Sequence, residues 1–267
     1  MNMYLHELRS LRKSTILWTC TLVAIAALYL SLYPGMARDA EDFKKLLGGY
    51  PPTVRAMLGI DLNYITSTLG FYSFAFSFIA LCGAIQGMNL GISVLSKESR
   101  ERTADFLLVK PVSRMSVVTA KLLASFTAIA VTDIIFHGAS FAIASAVKTA
   151  DFSGRLFFLI NLTLLFLQVI FLALGAAAAV CFRRLRSVLP VSLGVVFGFY
   201  FIGALLATGK DSEAARYFSP FKYFDTAYIL QHSAYETSYL VTGAVIVVAA
   251  VAAAYVIYIK KDIHAVS

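Results

Sequence analysis

Residues Gly70 to Leu95 read GFYSFAFSFIALCGAIQGMNLGISVL, and residues Ser96 to Lys121 then read SKESRERTADFLLVKPVSRMSVVTAK. The first stretch carries no charge and is long enough to cross roughly 30 Å of hydrocarbon as a helix. The second is densely charged and ends where another long apolar run begins, so it is the place where a membrane-embedded chain meets something soluble. Its charged part predicts a short amphipathic helix from Lys97 to Val109. Glu98 precedes Arg102 by four residues, a stabilising spacing, and Glu101 lies between Arg100 and Arg102. Phe106, Leu107 and Leu108 make the far end apolar, and Pro111 stops the helix.

Composition points the same way. Of 267 residues, 59% are hydrophobic and only 14% charged, with a mean hydropathy of +0.77. A soluble domain carries about a quarter charged residues. The apolar runs predict six spans, at about 16–33, 70–95, 117–147, 156–181, 188–208 and 239–259, in a single transmembrane domain over 1–267. The apolar core of the first exceeds a signal peptide's roughly 7–15 residues, so it reads as a retained anchor.

Orientation follows from the cations. With the N-terminus inside, 14 of the 23 Lys and Arg fall in the short inner segments: Arg9, Arg12 and Lys13; Lys97 to Lys121; Arg183, Arg184 and Arg186; Lys260 and Lys261. That bias places both termini and the charged segment in the cytoplasm. The net charge of +8 suits an anionic membrane face and gives no reason to invoke nucleic acid.

Two outer segments are more than connections. Asp39 to Leu47 (DAEDFKKLL) places Phe43, Leu46 and Leu47 on one face, acids first, and predicts a helix lying on the membrane surface. Gly48 and Gly49 end it, and Pro51 and Pro52 start another. Between Lys210 and Ser238, Tyr217, Phe218, Phe221, Tyr223, Phe224, Tyr228 and Tyr235 read as an interfacial aromatic belt.

Within the spans, Gly83, Gly87 and Gly91 repeat every four residues and form a smooth stripe for close helix packing. Gly194 and Gly198 share that spacing, as do Gly175 and Ala179. Such stripes serve packing inside one bundle or a subunit contact. Asp133 and His137, one turn apart in the third span, are either a proton relay or a structural pair. Gln86, Asn89, Asn161 and Gln168 read as interhelical hydrogen-bond partners. Cys20, Cys82 and Cys181 fit neither a disulfide framework nor a metal site. Gly203 to Lys210 resembles a phosphate-binding loop but has five residues between its glycines and Asp211 in place of Ser or Thr. No catalytic, metal or cofactor residues are expected, and any ATP hydrolysis belongs to another chain.

The segment Glu98 to Arg114 resembles the first cytoplasmic loop of type-2 ATP-binding-cassette (ABC) exporter permeases. The matching residues are Glu98, Thr103, Leu107, Leu108, Pro111, Val112, Ser113, Arg114 and Lys121, with Arg102 standing where that family usually has Gly. Six spans, inner termini and a long first outer loop fit too. The resemblance implies an all-α integral membrane protein with a cytoplasmic coupling helix seated in a separate nucleotide-binding ATPase subunit, which would hold the ATP and Mg. Glu98, Arg102, Thr103, Phe106, Leu107, Leu108, Pro111 and Arg114 would form that coupling surface. Tyr4 to Lys13 resembles the family's N-terminal interfacial helix. The implied function is a permease, paired as a homodimer with a second permease subunit in a bacterial plasma membrane, exporting a hydrophobic or amphipathic drug or membrane-active peptide. The alternatives are a proton-coupled carrier using Asp133 and His137, and a membrane scaffold subunit.

Overall fold

The computed structural model describes residues 3–58, 60–101, 113–182, 187–206 and 216–260, with the backbone alone at several of them, including 98–101. The described elements are helical: α1 (Met3–Arg38), α2 (Ala40–Gly48), α3 (Pro52–Met57), α4 (Thr68–Glu101), α5 (Arg114–Val147), α6 (Gly154–Cys181), α7 (Leu189–Leu206), a 3-10 turn (Pro220–Lys222), α8 (Thr226–His232) and α9 (Thr237–Lys260). Five of them, α1, α4, α5, α6 and α9, are long and apolar enough to cross a membrane. The fifth expected span appears as the shorter α7, 18 residues long, or about 27 Å at 1.5 Å per residue. The protein is an all-α, multi-pass membrane protein.

Helix ends follow local chemistry. Ser113 and Ser153 cap α5 and α6, their hydroxyls accepting from the backbone N–H groups of Ser116 and Leu156, which satisfies amides left over at a helix start. Asp225 does the same for α8 through Ala227 N. Pro34 lies inside α1, near its C-terminal end.

Three features differ from the sequence reading. Tyr4 to Lys13 forms no separate interfacial helix; it is the first third of the 36-residue α1. Likewise Lys97 to Glu101 prolongs α4 as one helix, while the rest of the expected coupling helix lies outside the described residues. The stripe on α2 is divided. Leu46 is exposed, whereas Leu47 is buried with Ile60 and Ile65, so α2 packs on the loop that precedes α4.

The bundle is organised around α4 and α6, whose contact is the most extensive in the molecule, with α1 along α5 and α9 along α6. The core combines Leu22, Ala26 and Leu30 of α1 with Tyr72, Phe76, Ile79 and Ala84 of α4 and Phe157, Ile160, Leu164 and Phe171 of α6. Large apolar side chains that remain exposed, among them Ile16, Leu17, Ile134, Val245 and Val248, lie on spanning helices, where lipid is the expected solvent.

Candidate functional site

Helix α4 ends and helix α5 begins on either side of the charged segment, and both ends are tied to α1. Lys97 Nζ, near the end of α4, donates to Ser10 Oγ at 3.0 Å. Lys121 Nζ, two turns into α5, donates to Glu7 Oε1 at 3.1 Å. That ion pair is buried, with side-chain exposures of 0% for Lys121 and 6% for Glu7. Tyr4 and Thr127 share a hydroxyl hydrogen bond of 3.0 Å. Arg114, the first residue of α5, donates to the carbonyl of Ile259 at the end of α9 at 3.0 Å. The two helices flanking residues 102–112 are therefore fastened to α1 and α9 by polar contacts.

Of the expected coupling residues, Arg114 is the one whose side chain is described. Glu98 lies on the final turns of α4, described as backbone. Arg102, Thr103, Phe106, Leu107, Leu108 and Pro111 lie outside the described residues.

Next along the bundle comes the seam between α4 and α6. A Cβ built on Gly87 would stand 2.4 Å from the carbonyl oxygen of Gln168, and one on Gly91 2.2 Å from that of Leu172. From the other side, a Cβ on Gly175 would stand 2.6 Å from Met88 O. At Gly83 the neighbour would be the Leu164 side chain, at 2.3 Å. The two backbones touch at Gly87, Gly91 and Gly175. Gly194 and Gly198 on α7 have the same spacing but nothing within 4 Å.

That close approach brings polar side chains together in the middle of the bundle. With its nitrogen facing the carboxylate, the Gln168 amide donates to Asp133 at 3.0 Å from each oxygen. Its other end meets the Gln86 amide at 3.0 Å, and Gln86 reaches Thr132 at 3.3 Å. Thr19 Oγ1 donates to Thr132 Oγ1 at 3.1 Å. This layer joins α1, α4, α5 and α6. Nearer the start of α4, the Tyr72 hydroxyl donates to Asn161 Oδ1 at 2.9 Å, and Tyr33 meets Thr68 and Thr149 at 3.0 Å each. Such bonds hold spanning helices together at about 0.6 kcal/mol each. Gln86, Asn161 and Gln168 thus make interhelical bonds. Asp133 faces Gln168, whereas the His137 ring lies among Phe141, Phe157 and Phe158.

At the end of the bundle away from the charged segment, residues 216–236 fold back over α6, α7 and α9. The Arg216 guanidinium forms two bonds to the Glu236 carboxylate, donates to the carbonyl of Lys222 and lies 4.2 Å from the centre of the Tyr239 ring. Burial works against the Arg216 charge, but the Glu236 carboxylate outweighs it and holds the guanidinium above its ordinary pKa. Burial pushes the Lys222 ammonium down, opposed by Asp225. The Ser219 hydroxyl donates to Phe199 O at 2.8 Å, and the Tyr235 hydroxyl to Leu159 O at 2.6 Å. Tyr223 and Phe224 are buried and Phe221 packs on Phe171, leaving Tyr217 and Phe218 exposed. The aromatics read as a membrane belt are mostly the inside of a cap. Among the described residues no group of His, Cys, Asp and Glu is placed to hold a metal.

A family profile described as ABC-2 family transporter protein matches residues 1–263. The chain belongs to the ABC-2 transporter family. No curated protein matches the chain. Membership makes this ABC-2 protein a membrane transport subunit, and it implies association with an ATP-binding subunit and with the membrane. Glu7 and the Gln168–Asp133 contact escaped the sequence reading. A glutamate in a basic amphipathic helix looks solvated until its partner is known, and no spacing links residues 133 and 168.

Proposed function

We propose that this ABC-2 protein is the permease subunit of an exporter driven by ATP hydrolysis on a separate subunit. The observation that carries the reading is the family match over 1–263, which takes in the charged segment between α4 and α5. In this reading both termini and that segment face the cytoplasm of a bacterial cell, and the segment docks in a cleft of the ATPase. Glu98 and Arg102 set its register, Phe106, Leu107 and Leu108 fill the cleft, and ATP and Mg bind the partner alone. Two permeases pair as a homodimer, because one bundle packed this closely around α4 and α6 leaves little enclosed path. An apolar exterior and an aromatic outer cap favour a hydrophobic or amphipathic cargo, either a drug or a membrane-active peptide.

The test is affinity purification of the tagged permease from its native membrane in mild detergent. The expected result is a co-purifying ATPase whose turnover depends on the permease, lost in a Phe106→Ala, Leu107→Ala double variant that still inserts. Buried aromatic and aliphatic anchors carry most interface energy. A permease that recovers no ATPase, or a double variant that retains it fully, refutes the reading.

A further inference from the structure

Residues 98–113 begin on the last turn of α4 and end at the cap of α5, so any force on them enters the membrane through the end of α4 and the start of α5. Both places are bonded to the same stretch of α1. Lys97 is held by Ser10, Lys121 by Glu7 and Thr127 by Tyr4, so residues 4–10 of α1 bridge the two roots of the segment. The Glu7–Lys121 and Thr19–Thr132 contacts advance together along both helices, so α1 and α5 run in the same direction. Each advances into the membrane from the same end.

One of these three ties differs in kind. Ser10 with Lys97 is an exposed bond, whereas Glu7 and Lys121 are both buried, at 5% and 0% exposure. A surface ion pair adds little and is easily replaced by water. A buried one costs desolvation of both charges, yet losing one partner strands the other. The pair therefore holds only while its two partners stay in register, and it fixes where along α5 the start of α1 must sit. We infer that the buried Glu7–Lys121 pair is the tie through which movement of the 98–113 segment reaches α1, making Glu7 and Lys121 positioning residues for coupling.

The inference rests on the exporter reading, and one experiment separates the two. Hydrogen exchange is followed by mass spectrometry on the co-purified permease–ATPase complex, without nucleotide and with ATP, Mg and vanadate. In the wild type, exchange changes by about threefold or more, as for a shift in local opening, both in peptides covering 98–113 and in peptides covering 3–15. In a Glu7→Gln, Lys121→Met double variant, which removes both charges of the pair, the response persists in 98–113 and disappears from 3–15. Lys121→Arg, which keeps the pair, restores both. The inference is overturned if 3–15 responds as strongly in the double variant, or if the wild type responds in 98–113 and not in 3–15. The second outcome needs no variant to fold. If no ATPase co-purifies, or the wild type shows no response in 98–113, it is the exporter reading itself that fails.

Discussion

Replacing Gly87 by alanine adds one methyl group at the point where α4 and α6 touch. That methyl carbon would stand 2.4 Å from Gln168 O and 3.1 Å from both Gln168 C and Cα. All three atoms are backbone, so no side chain can swing aside. Restoring an ordinary contact at this point means parting the helices by about 1 Å. A gap of that size forfeits a quarter to a half of each atom pair's attraction of about 0.1–0.2 kcal/mol. Over on the order of 40 pairs, as many as one buried leucine makes, the loss is about 1–4 kcal/mol. The Gln168 amide sits at the same place, so its bonds to Asp133 and Gln86 lengthen too, at about 0.6 kcal/mol each. Alanine's better helix propensity returns up to about 1 kcal/mol. Gly198→Ala supplies the control, because it has the same propensity gain and nothing within 4 Å. The single tryptophan, Trp18, packs against the core and reports unfolding in mixed micelles by its fluorescence. Gly87→Ala should be less stable than Gly198→Ala by about 2 kcal/mol, within the range for overpacking. A difference under about 0.5 kcal/mol refutes the claim that these backbones are in contact.

Three other outcomes follow. Glu236→Gln leaves the partly buried Arg216 without its counter-charge and should loosen the outer cap, increasing proteolysis between residues 207 and 236 several-fold while the spanning bundle stays intact. Burial, offset in part by a hydrogen bond with Thr163, pushes the Tyr235 phenol up to about 12. The folded state thus keeps that proton longer than the unfolded chain, whose phenol titrates near 10. The cap's stability is then full below about pH 10 and falls between about pH 10 and 12, a decline that Tyr235→Phe should flatten when followed by hydrogen exchange. For orientation, with native cysteines replaced, a cysteine at position 99 should be shielded from an impermeant thiol reagent and one at position 45 should react. The reverse pattern would invert the topology.

The spanning helices are legible because hydrocarbon imposes a composition: α4, α5, α6 and α9 begin and end within a few residues of the apolar runs. What the helices do to one another is less legible. The glycine repeats of α4 and α7 share one spacing, yet among the described residues only the first has a backbone standing opposite, since spacing describes one helix and contact needs two. The N-terminal segment reads as a separate surface helix because its pattern is amphipathic. Its polar face includes a buried glutamate, and Lys121, the residue that makes burial tolerable, is far away in the chain. The aromatics of 216–236 misled for a similar reason: tyrosine and phenylalanine suit a membrane interface and a folded cap equally well. Asp133 and His137 stand one turn apart, but Asp133 takes its partner from another helix.

Helix α4 runs unbroken for 34 residues, about 50 Å at 1.5 Å per residue, against a hydrocarbon layer of roughly 30 Å. It is a rod longer than the barrier it crosses. One tip lies at the charged segment. At the other, Gly70 and Ser73 share a cleft of about 230 Å³ with Asp225 and Leu230 at α8. Clamped to α6 at mid-length by glycines that leave no slack, the rod can pivot but hardly flex. A small tilt imposed at the tip beside the charged segment would therefore arrive at the cleft beside α8 with no relay of rearranging side chains in between.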